Sequence, residues 1–481
     1  MRSVDKPGQL PAPDGSRASA VSGSGAEPGS HVSLEGVHSS VGVPHHEAGF
    51  WPQWKAFVGP AILVSVGYMD PGNWGTDLQG GAQYKYGLLW VVALSSLMAV
   101  FMQVISARLG VVTGKDLAQC CRDWYPRWTR WPNWLMSEIA IGACDLAEVL
   151  GSAVALNLLF HIPLFWAVVL TGLDVLLLLA LQSFGMRAIE AVVVVLVATI
   201  AVCYFLEIFV LPQTQPSFWE MGHALLTPHF RQAGMLYVAI GIIGATVMPH
   251  NLYLHSALVQ SRKFQKDAPS IRRAVHFNTL DSVVALSVAF CVNAAILVLA
   301  ATVFFGKESV TVSGGHLIRF APDSDWIRVA YLTLAPLLGT VFASTLFAVA
   351  LLAAGQSSTI TGTLAGQVVM EGFMRWRIRP WVRRLITRTL AILPAVFVIG
   401  LHGDGSVTDL LTLSQVVLAL QLPFAMFPLL HFTSSRKRMG VWKNGWFLLL
   451  AGWASAILIT CMDIYGLPDS LKSAWQVIHG G

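Results

Sequence analysis

Two short polar strings that contain proline interrupt apolar stretches of the chain, and both could bind a cation. Asp70-Pro71-Gly72-Asn73 follows the apolar run from Phe57 to Met69, and Met248-Pro249-His250 follows the apolar residues from Gly241 onward. Proline lacks a backbone N–H and clashes with the preceding turn, so we expect a helix to break at each string. Broken backbone at membrane depth is tolerated only where it is buried in protein or lines a wet cavity.

The side chains at the two breaks favour a transition metal. The Asp70 carboxylate, the Asn73 side-chain carbonyl and the freed main-chain carbonyl of Ala245 are hard oxygen ligands that suit divalent cations. Met248 adds a soft thioether, and a mixture of oxygen and sulfur disfavours magnesium and calcium. We therefore predict Mn²⁺ or Fe²⁺ as the substrate, with Cd²⁺ tolerated.

Amide side chains form a second group of candidates. Gln415 could complete the metal shell when the ion is occluded, while Gln421, beside Pro423, could instead satisfy backbone groups that this proline frees. Gln79, Asn293 and Gln421 are candidates for a gate. The alternative for these amides is interhelical hydrogen bonding, which is common within membranes.

Acidic residues of the third predicted span suggest a path for protons. Glu138, Asp145 and Glu148 are spaced seven and three apart, which places them along one helical face. Carboxylates in a membrane helix are costly unless they line a wet path or pair with cations. We predict a route from the metal site towards the cytoplasm, with histidine as a titrating group and arginine as counter-charge; its residues are Asp70, Asp145, Glu148, His250, Arg384 and Arg388.

The composition is that of a polytopic membrane protein. Of 481 residues, 55% are hydrophobic and only 12% are charged, against about 25% charged in soluble domains. The net charge of +5 requires no nucleic acid partner, because basic residues concentrate in particular loops. The six cysteines show no CxxC pattern, which argues against a zinc site or a disulfide framework. No nucleophile–base pair or nucleotide-binding loop is evident, so we expect neither an enzyme nor a permanent cofactor.

Eleven apolar segments approach the ~20 residues that span a bilayer. Their approximate limits are 56–84, 88–112, 133–160, 163–184, 187–211, 232–260, 279–305, 327–354, 386–403, 408–431 and 444–465. The semi-polar segment 356–374 is a candidate for a short interfacial helix. Because the broken first and sixth spans lie five apart, we predict an all-α transporter of two inverted five-helix repeats (LeuT/APC-type) plus one extra helix.

The predicted organisation has three parts. Residues 1–48 form a disordered cytoplasmic tail, and 49–465 form the transporter domain, followed by a short C-terminal tail at 466–481. Within the domain, repeat one covers about 56–211, repeat two about 232–431 and the extra helix about 444–465.

Basic residues predict the orientation in the membrane. The loops on one side carry twenty Lys and Arg residues, against six on the other side. The positive-inside rule then places the N-terminus in the cytoplasm, and an odd number of spans places the C-terminus outside. We expect a bacterial inner membrane, and a monomer suffices because one bundle contains the complete site.

The motifs also resemble those of a known family. Asp70-Pro-Gly-Asn73 and Met248-Pro-His250 are similar to the two signature motifs of the Nramp (natural resistance-associated macrophage protein) family. Ala107-Arg-Leu-Gly110, Cys144-Asp-Leu-Ala-Glu148 and Gln421-Leu-Pro-Phe-Ala425 fit as well, and the resemblance covers roughly residues 50–465. It implies proton-coupled import of Mn²⁺ and Fe²⁺, with Asp70, Asn73, Ala245 and Met248 as the metal site. Met248 argues against the magnesium-carrying relatives.

Two other transport classes fit the sequence less well. A cation-coupled amino-acid or amine transporter could share the fold. Its site needs helix-end N–H groups that bind a substrate carboxylate, and a site that contains Asp70 and Met248 fits this requirement poorly. A channel would need a continuous pore, whereas two breaks suggest alternating access.

Overall fold

The computed structural model describes most of the chain. The described residues are 38–44, 49–174, 186–210, 216–232, 234–311, 317–320, 324, 326–338, 341–402 and 407–479. Most of the predicted tail, 1–37 and 45–48, and the second half of the predicted fourth span therefore lie outside the described residues.

The described part of the chain is almost entirely helical. Its helices are α1 (Phe50–Phe57), α2 (Pro60–Gly67), α3 (Pro71–Tyr84), α4 (Leu89–Thr113), α5 (Leu117–Trp124), α6 (Arg130–Phe160), α7 (Leu164–Leu170), α8 (Met186–Phe205), α9 (Phe218–Leu226), α10 (Met235–Val247), α11 (Pro249–Leu258), α12 (Ala268–Val303), α13 (Trp326–Leu338), α14 (Val341–Met374), α15 (Pro380–His402), α16 (Val407–Ser434), α17 (Arg436–Met439) and α18 (Trp446–His479). Two small sheets accompany them, β1 (Val41–Gly42) with β2 (Arg262–Lys263) and β3 (Ser309–Thr311) with β4 (Leu317–Arg319).

Eight helices within the described residues are long and apolar enough to cross a membrane. The broken first span, the partly described fourth span and the arginine-rich α15 are additional to these eight. The predicted total of eleven spans stays a prediction. The membrane-type helical architecture itself follows from the sequence, because each long apolar helix satisfies its own backbone hydrogen bonds.

Two helices are interrupted at the polar strings. Helix α2 ends at Gly67 and α3 begins at Pro71, and the Asp70 side chain caps α3 by accepting a hydrogen bond from the Asn73 N–H. Helix α10 ends at Val247, and Met248 has a φ of 32°, a left-handed conformation that stops the helix before Pro249. The two interruptions lie side by side, since the Asn73 amide donates to the Ala245 carbonyl over 3.1 Å.

The segment 356–374 is not a separate interfacial helix. It is the second part of α14 (Val341–Met374) and is largely buried. Its semi-polar composition has a different cause, because Ser358 and Thr359 donate hydrogen bonds to the Glu148 carboxylate on α6. The predicted eighth span, 327–354, is likewise divided between α13 and α14.

Both ends of the chain differ from the predicted tails. Residues Val41–Gly42 form a parallel pairing with Arg262–Lys263, so order begins before the predicted limit at residue 48. At the other end α18 continues to His479, well beyond residue 465. A helix can continue past the apolar stretch that crosses the membrane, and hydrophobicity alone does not mark its end.

Candidate functional site

The candidate metal site lies where the two broken helices meet. The five candidate ligands are all fully buried. In chain order they are Asp70 of the α2–α3 break, Asn73 of α3, Ala245 of α10, Met248 of the α10–α11 break and Gln415 of α16. The structure therefore brings together all five residues that the sequence predicted as metal ligands. Their role as ligands stays a prediction.

Two acceptor atoms at the site are left without a partner among the described residues. Asp70 Oδ1 accepts from the Asn73 main-chain N–H at 2.9 Å and from the Asn73 amide at 2.8 Å, but Asp70 Oδ2 accepts nothing. Gln415 donates through Nε2 to Ser414 Oγ at 2.9 Å, and its Oε1 is also unsatisfied. Buried polar atoms in native proteins are normally satisfied, so these two oxygens are available to a cation.

Glycine permits the close approach of Gln415 to the first break. A Cβ atom at position 72 would lie 2.8 Å from Gln415 Oε1, closer than real Cβ contacts. Gly72 of the Asp-Pro-Gly-Asn string therefore leaves room for the Gln415 amide in this position, and a larger residue would require that side chain to move. At the second break, the Met248 sulfur accepts a hydrogen bond from the Asn251 amide at 3.5 Å.

The three amides predicted as a gate have different surroundings. Asn293 lies beside the metal site, where its amide donates to Asn73 Oδ1 at 3.1 Å and to the Tyr68 carbonyl at 2.8 Å. Gln79 joins the outer half of α3 to α16 by accepting from Thr412 over 3.0 Å. Gln421 is half-buried, and its Oε1 has no partner in the described part of the chain.

The acidic face of α6 meets two arginines of α15. Arg384 binds both Asp145 and Glu148, the latter at 2.9 Å, and Arg388 lies 3.5 Å from Glu148. These side chains are almost completely buried, so breaking either pair would leave an uncompensated charge in the interior. The predicted pairing of arginine with these acids thus matches the observed contacts. His250 is buried nearby and within electrostatic range of Asp145.

The ion-pair network of Asp145, Glu148, Arg384 and Arg388, here called the network, is adjacent to the metal site. Cys144 contacts Met248 in a small apolar cluster and donates its thiol to Glu148 Oε1 over 3.6 Å. Glu148 is also within electrostatic range of Asp70. Nearer the N-terminal end of α6, Glu138 pairs with Arg383 at 2.8 Å.

Sequence reasoning missed several functional candidates. Asp174 binds Arg388, and Ser358 and Thr359 donate hydrogen bonds to the Glu148 carboxylate. The only sequence signal was the run of hydroxyl residues from Ser357 to Thr363 inside a helix. Ion pairs between distant helices leave no such signal.

A second polar cluster, here called the inner clamp, holds the N-terminal end of the first broken helix. It consists of Glu190, Arg262 and Asp281 with the backbone of residues 58–61. Arg262 binds Glu190 at 3.0 Å and the Val58 carbonyl at 2.7 Å. Asp281 accepts from the N–H groups of Gly59 and Ala61. The clamp therefore ties the start of α2 to α8, α12 and the loop after α11.

Comparisons with known proteins agree on one family. Residues 61–468 match the family described as natural resistance-associated macrophage protein-like. The chain is 49% identical to a divalent metal cation transporter, MntH, of Nostoc sp., covering 92% of this chain and 97% of the relative. It is 48% identical to MntH of Brucella suis, covering 93% and 95%.

Solved structures show the same fold. The manganese transporter of Eremococcus coleocola, crystallised as a histidine-to-alanine mutant, is 40% identical with a TM-score of 0.80, covering 93% of this chain and 95% of that one. A closed form of Mhp1, a nucleobase-cation-symport-1 family transporter, matches with a TM-score of 0.53 at 14% identity, which shows likeness of fold alone. The predicted transporter fold is thereby confirmed.

Proposed function

The chain belongs to the Nramp family, and on that premise we propose that it imports divalent transition metal ions, Mn²⁺ or Fe²⁺ and also Cd²⁺, by proton-coupled alternating access. The observation that carries the proposal is the pair of unsatisfied oxygens, Asp70 Oδ2 and Gln415 Oε1, in a closed site that also holds the Met248 sulfur. Mixed oxygen and sulfur donors favour transition metals over magnesium and calcium.

The donor set suits a transported ion. No group of three or more His, Cys, Asp or Glu residues that could hold a metal occurs among the described residues. The candidate ligands are instead one carboxylate, two amides, a main-chain carbonyl and a thioether. A site with a single charged ligand binds a divalent ion weakly enough to release it on the other side.

Proton coupling follows from electrostatics at Asp70. A divalent ion that arrives beside this carboxylate favours its ionised form and displaces a bound proton. Glu148 and Asp145 are the proposed acceptors towards the cytoplasm, and Arg384 and Arg388 balance their charge. In this proposal the network carries the proton, and His250 takes part beside it.

The proposal includes the setting of the protein. The chain lies in a cell (inner) membrane as a multi-pass monomer, with its N-terminus in the cytoplasm and its C-terminus outside. Relatives in the family are transporters, which supports a role in transport over enzymatic activity.

Uptake of radioactive Mn²⁺ into proteoliposomes, with and without an inward proton gradient, tests the proposal. We expect uptake that the gradient accelerates, together with competition by Fe²⁺ and Cd²⁺ but not by Ca²⁺. Gradient-driven uptake of an amino acid without uptake of metal would instead support the cation-coupled amino-acid transporter and contradict the proposal.

A further inference from the structure

Three tryptophans form an aromatic cluster at one end of the helix bundle, away from the candidate metal site. Trp131 and Trp134 belong to the first turns of α6, and Trp376 belongs to the turn between α14 and α15. Their ring centroids lie between 5.7 and 6.1 Å apart. Trp134 packs against the core, whereas Trp131 is 56% exposed and Trp376 is 46% exposed. Two large rings therefore face outward where the membrane-type helix α6 begins and the membrane-type helix α14 ends.

The turn after α14 holds Trp376 in this position. Arg375 has a φ of 59°, a left-handed conformation that ends the helix, and its N–H donates to the Glu371 carbonyl at 3.0 Å. The Arg379 carbonyl accepts from the Arg383 N–H at 3.1 Å at the start of α15. Because hydrogen bonds fix both ends of the turn, its arginines have defined places beside the rings.

The two segments that carry the rings, 124–137 and 372–382, contain five arginines and no aspartate or glutamate. The arginines are Arg127, Arg130, Arg375, Arg377 and Arg379. Arg127, Arg375 and Arg379 are exposed, and none of these three forms an ion pair within the described residues. The five arginines and the three tryptophans, here called the arginine–tryptophan surface, therefore carry positive charge that the protein does not neutralise.

Other basic side chains on the same predicted side have different surroundings. Arg262 is buried in the inner clamp, and Arg438 lies over the rings of Trp124 and Phe432, 5.1 and 4.7 Å from their centroids. These two charges are engaged within the protein, unlike those of the arginine–tryptophan surface.

This combination of side chains fits the headgroup of an anionic lipid. Tryptophan is enriched at the membrane–water interface, where its ring lies at the level of the headgroups. Arginine presents a planar fork of N–H donors that matches a phosphate, and basic side chains next to membrane helices attract anionic lipids. Tryptophan rings can also hold a quaternary ammonium group, but five arginines without an acidic neighbour disfavour a cation here.

We propose that the arginine–tryptophan surface is a binding site for an anionic phospholipid of the adjacent leaflet, which is the cytoplasmic one in the predicted orientation. The arginines bind the phosphate, and the exposed rings of Trp131 and Trp376 lie beside the lipid at the interface. The lipid joins the start of α6 to the turn that leads into α15. These two helices also carry the ion pairs of the network, so the lipid fastens them together at their near ends.

Native mass spectrometry of the full chain in detergent tests the site by measuring the dissociation constant of the first bound lipid. Phosphatidylglycerol, phosphatidylcholine and inorganic phosphate are titrated separately. The unmodified protein should bind phosphatidylglycerol about tenfold or more tightly than phosphatidylcholine, and Arg127→Gln/Arg375→Gln should lose this preference because two charges are removed. Trp376→Leu keeps every charge and should still weaken the binding of phosphatidylglycerol, so it remains informative if the double variant fails to fold.

The matched control is Arg436→Gln/Lys437→Gln, which removes the same charge from exposed positions of α17. It should keep the preference for phosphatidylglycerol. Equal loss of preference in the two double variants would overturn the site, since lipid binding would then follow net charge alone. Inorganic phosphate that binds as tightly as phosphatidylglycerol would identify a free anion as the occupant and also overturn it. No metal is added, so the outcome is independent of the proposed transport function.

Discussion

At the scale of single residues, the site depends on atoms that the fold leaves unsatisfied. Asp70 Oδ1 accepts the hydrogen bond that caps α3, and Asp70 Oδ2 has no partner among the described residues. The capping role and the proposed ligand role therefore use different oxygens. Asn73 likewise donates its amide to Asp70 and Ala245 while its carbonyl retains a lone pair beyond the bond from Asn293. The first prediction concerns the only soft ligand.

Met248→Ala should weaken selection for transition metals. Loss of the thioether leaves oxygen donors alone, and these do not discriminate strongly against calcium. We expect the preference for Cd²⁺ and Mn²⁺ over Ca²⁺ to fall by about tenfold, equivalent to about 1.4 kcal/mol. Competition binding on the purified protein measures this preference. Met98→Ala, which removes a buried methionine of α4, is the control, and unchanged selectivity in Met248→Ala would remove the sulfur from the site.

Asp145→Asn should uncouple proton flux from metal transport. The amide keeps the shape of the side chain but cannot hold the charge that faces Arg384. We expect Mn²⁺-stimulated proton flux to fall by about tenfold or more, measured with a pH dye in proteoliposomes. Asp123→Asn, which removes a carboxylate of α5 away from the network, should not change the flux. Intact flux in Asp145→Asn would exclude the predicted cytoplasmic route.

At the scale of helices, small residues decide how closely the elements pack. Gly151 of α6 lies against Pro71, and Gly362 of α14 lies against Glu148, where an added Cβ would be 2.8 Å from the carboxylate. These contacts let α6 pack closely against α3 on one side and against α14 on the other. A helix that carries no ligand thus determines where the ligands of α3 lie.

Gly151→Ala should shift the first break without removing a ligand. The new methyl group would overlap the Pro71 ring, and overpacking of this kind costs about 1–3 kcal/mol. We expect a lower midpoint of thermal unfolding together with weaker Mn²⁺ binding, both measured on detergent-purified protein. Gly142→Ala on the same helix has no atom within 4 Å of the added Cβ and serves as the control. Equal Mn²⁺ affinity in the two variants would contradict this argument.

Helix α5 outside the membrane should confer a pH-dependent stability. Asp116 caps it by accepting from the Gln119 N–H, and burial raises the pKa of the Asp116 carboxyl from 3.8 to about 7. The folded state therefore binds more protons than the unfolded state between these values, and the stabilisation present at low pH is lost as pH rises through about 7.

Asp116→Asn tests this dependence, since asparagine also caps helices but does not titrate. Thermal unfolding between about pH 5 and about pH 8 should show a smaller loss of stability in this variant than in the unmodified protein. The Asp123→Asn control on the same helix should not flatten the profile. An identical slope in Asp116→Asn and the unmodified protein would show that Asp116 does not contribute.

At the scale of the whole molecule, two polar clusters join helices that are distant in sequence. The network of α6 and α15 links the first half of the chain to the second near the metal site. The inner clamp links the start of α2 to α8 and α12.

The predicted topology can be checked by labelling with a membrane-impermeant maleimide. After replacement of the exposed Cys291 and Cys461, Lys266→Cys should react only in permeabilised cells, and Glu220→Cys should react in intact cells. Charge bias of the loops predicts this difference. Reaction of Lys266→Cys in intact cells would invert the assigned orientation.

Sequence by itself determined the local features of this protein. Hydrophobic runs predicted the membrane helices, and proline beside polar residues predicted both breaks, because these depend on backbone chemistry within a few residues. The five candidate metal ligands could be named for the same reason, as each lies at or opposite a break. Loop charges predicted the orientation without reference to any contact.

Only the tertiary structure decided which residues meet across the bundle. The association of Asp174 with Arg388, of Ser358 with Glu148 and of Arg262 with Glu190 joins helices far apart in the chain. The same holds for Asn293, predicted at a gate but found beside Asn73, and for the course of α14. Such contacts depend on the packing of whole helices, and a buried ionic pair is specified by two distant positions at once, which no local pattern encodes.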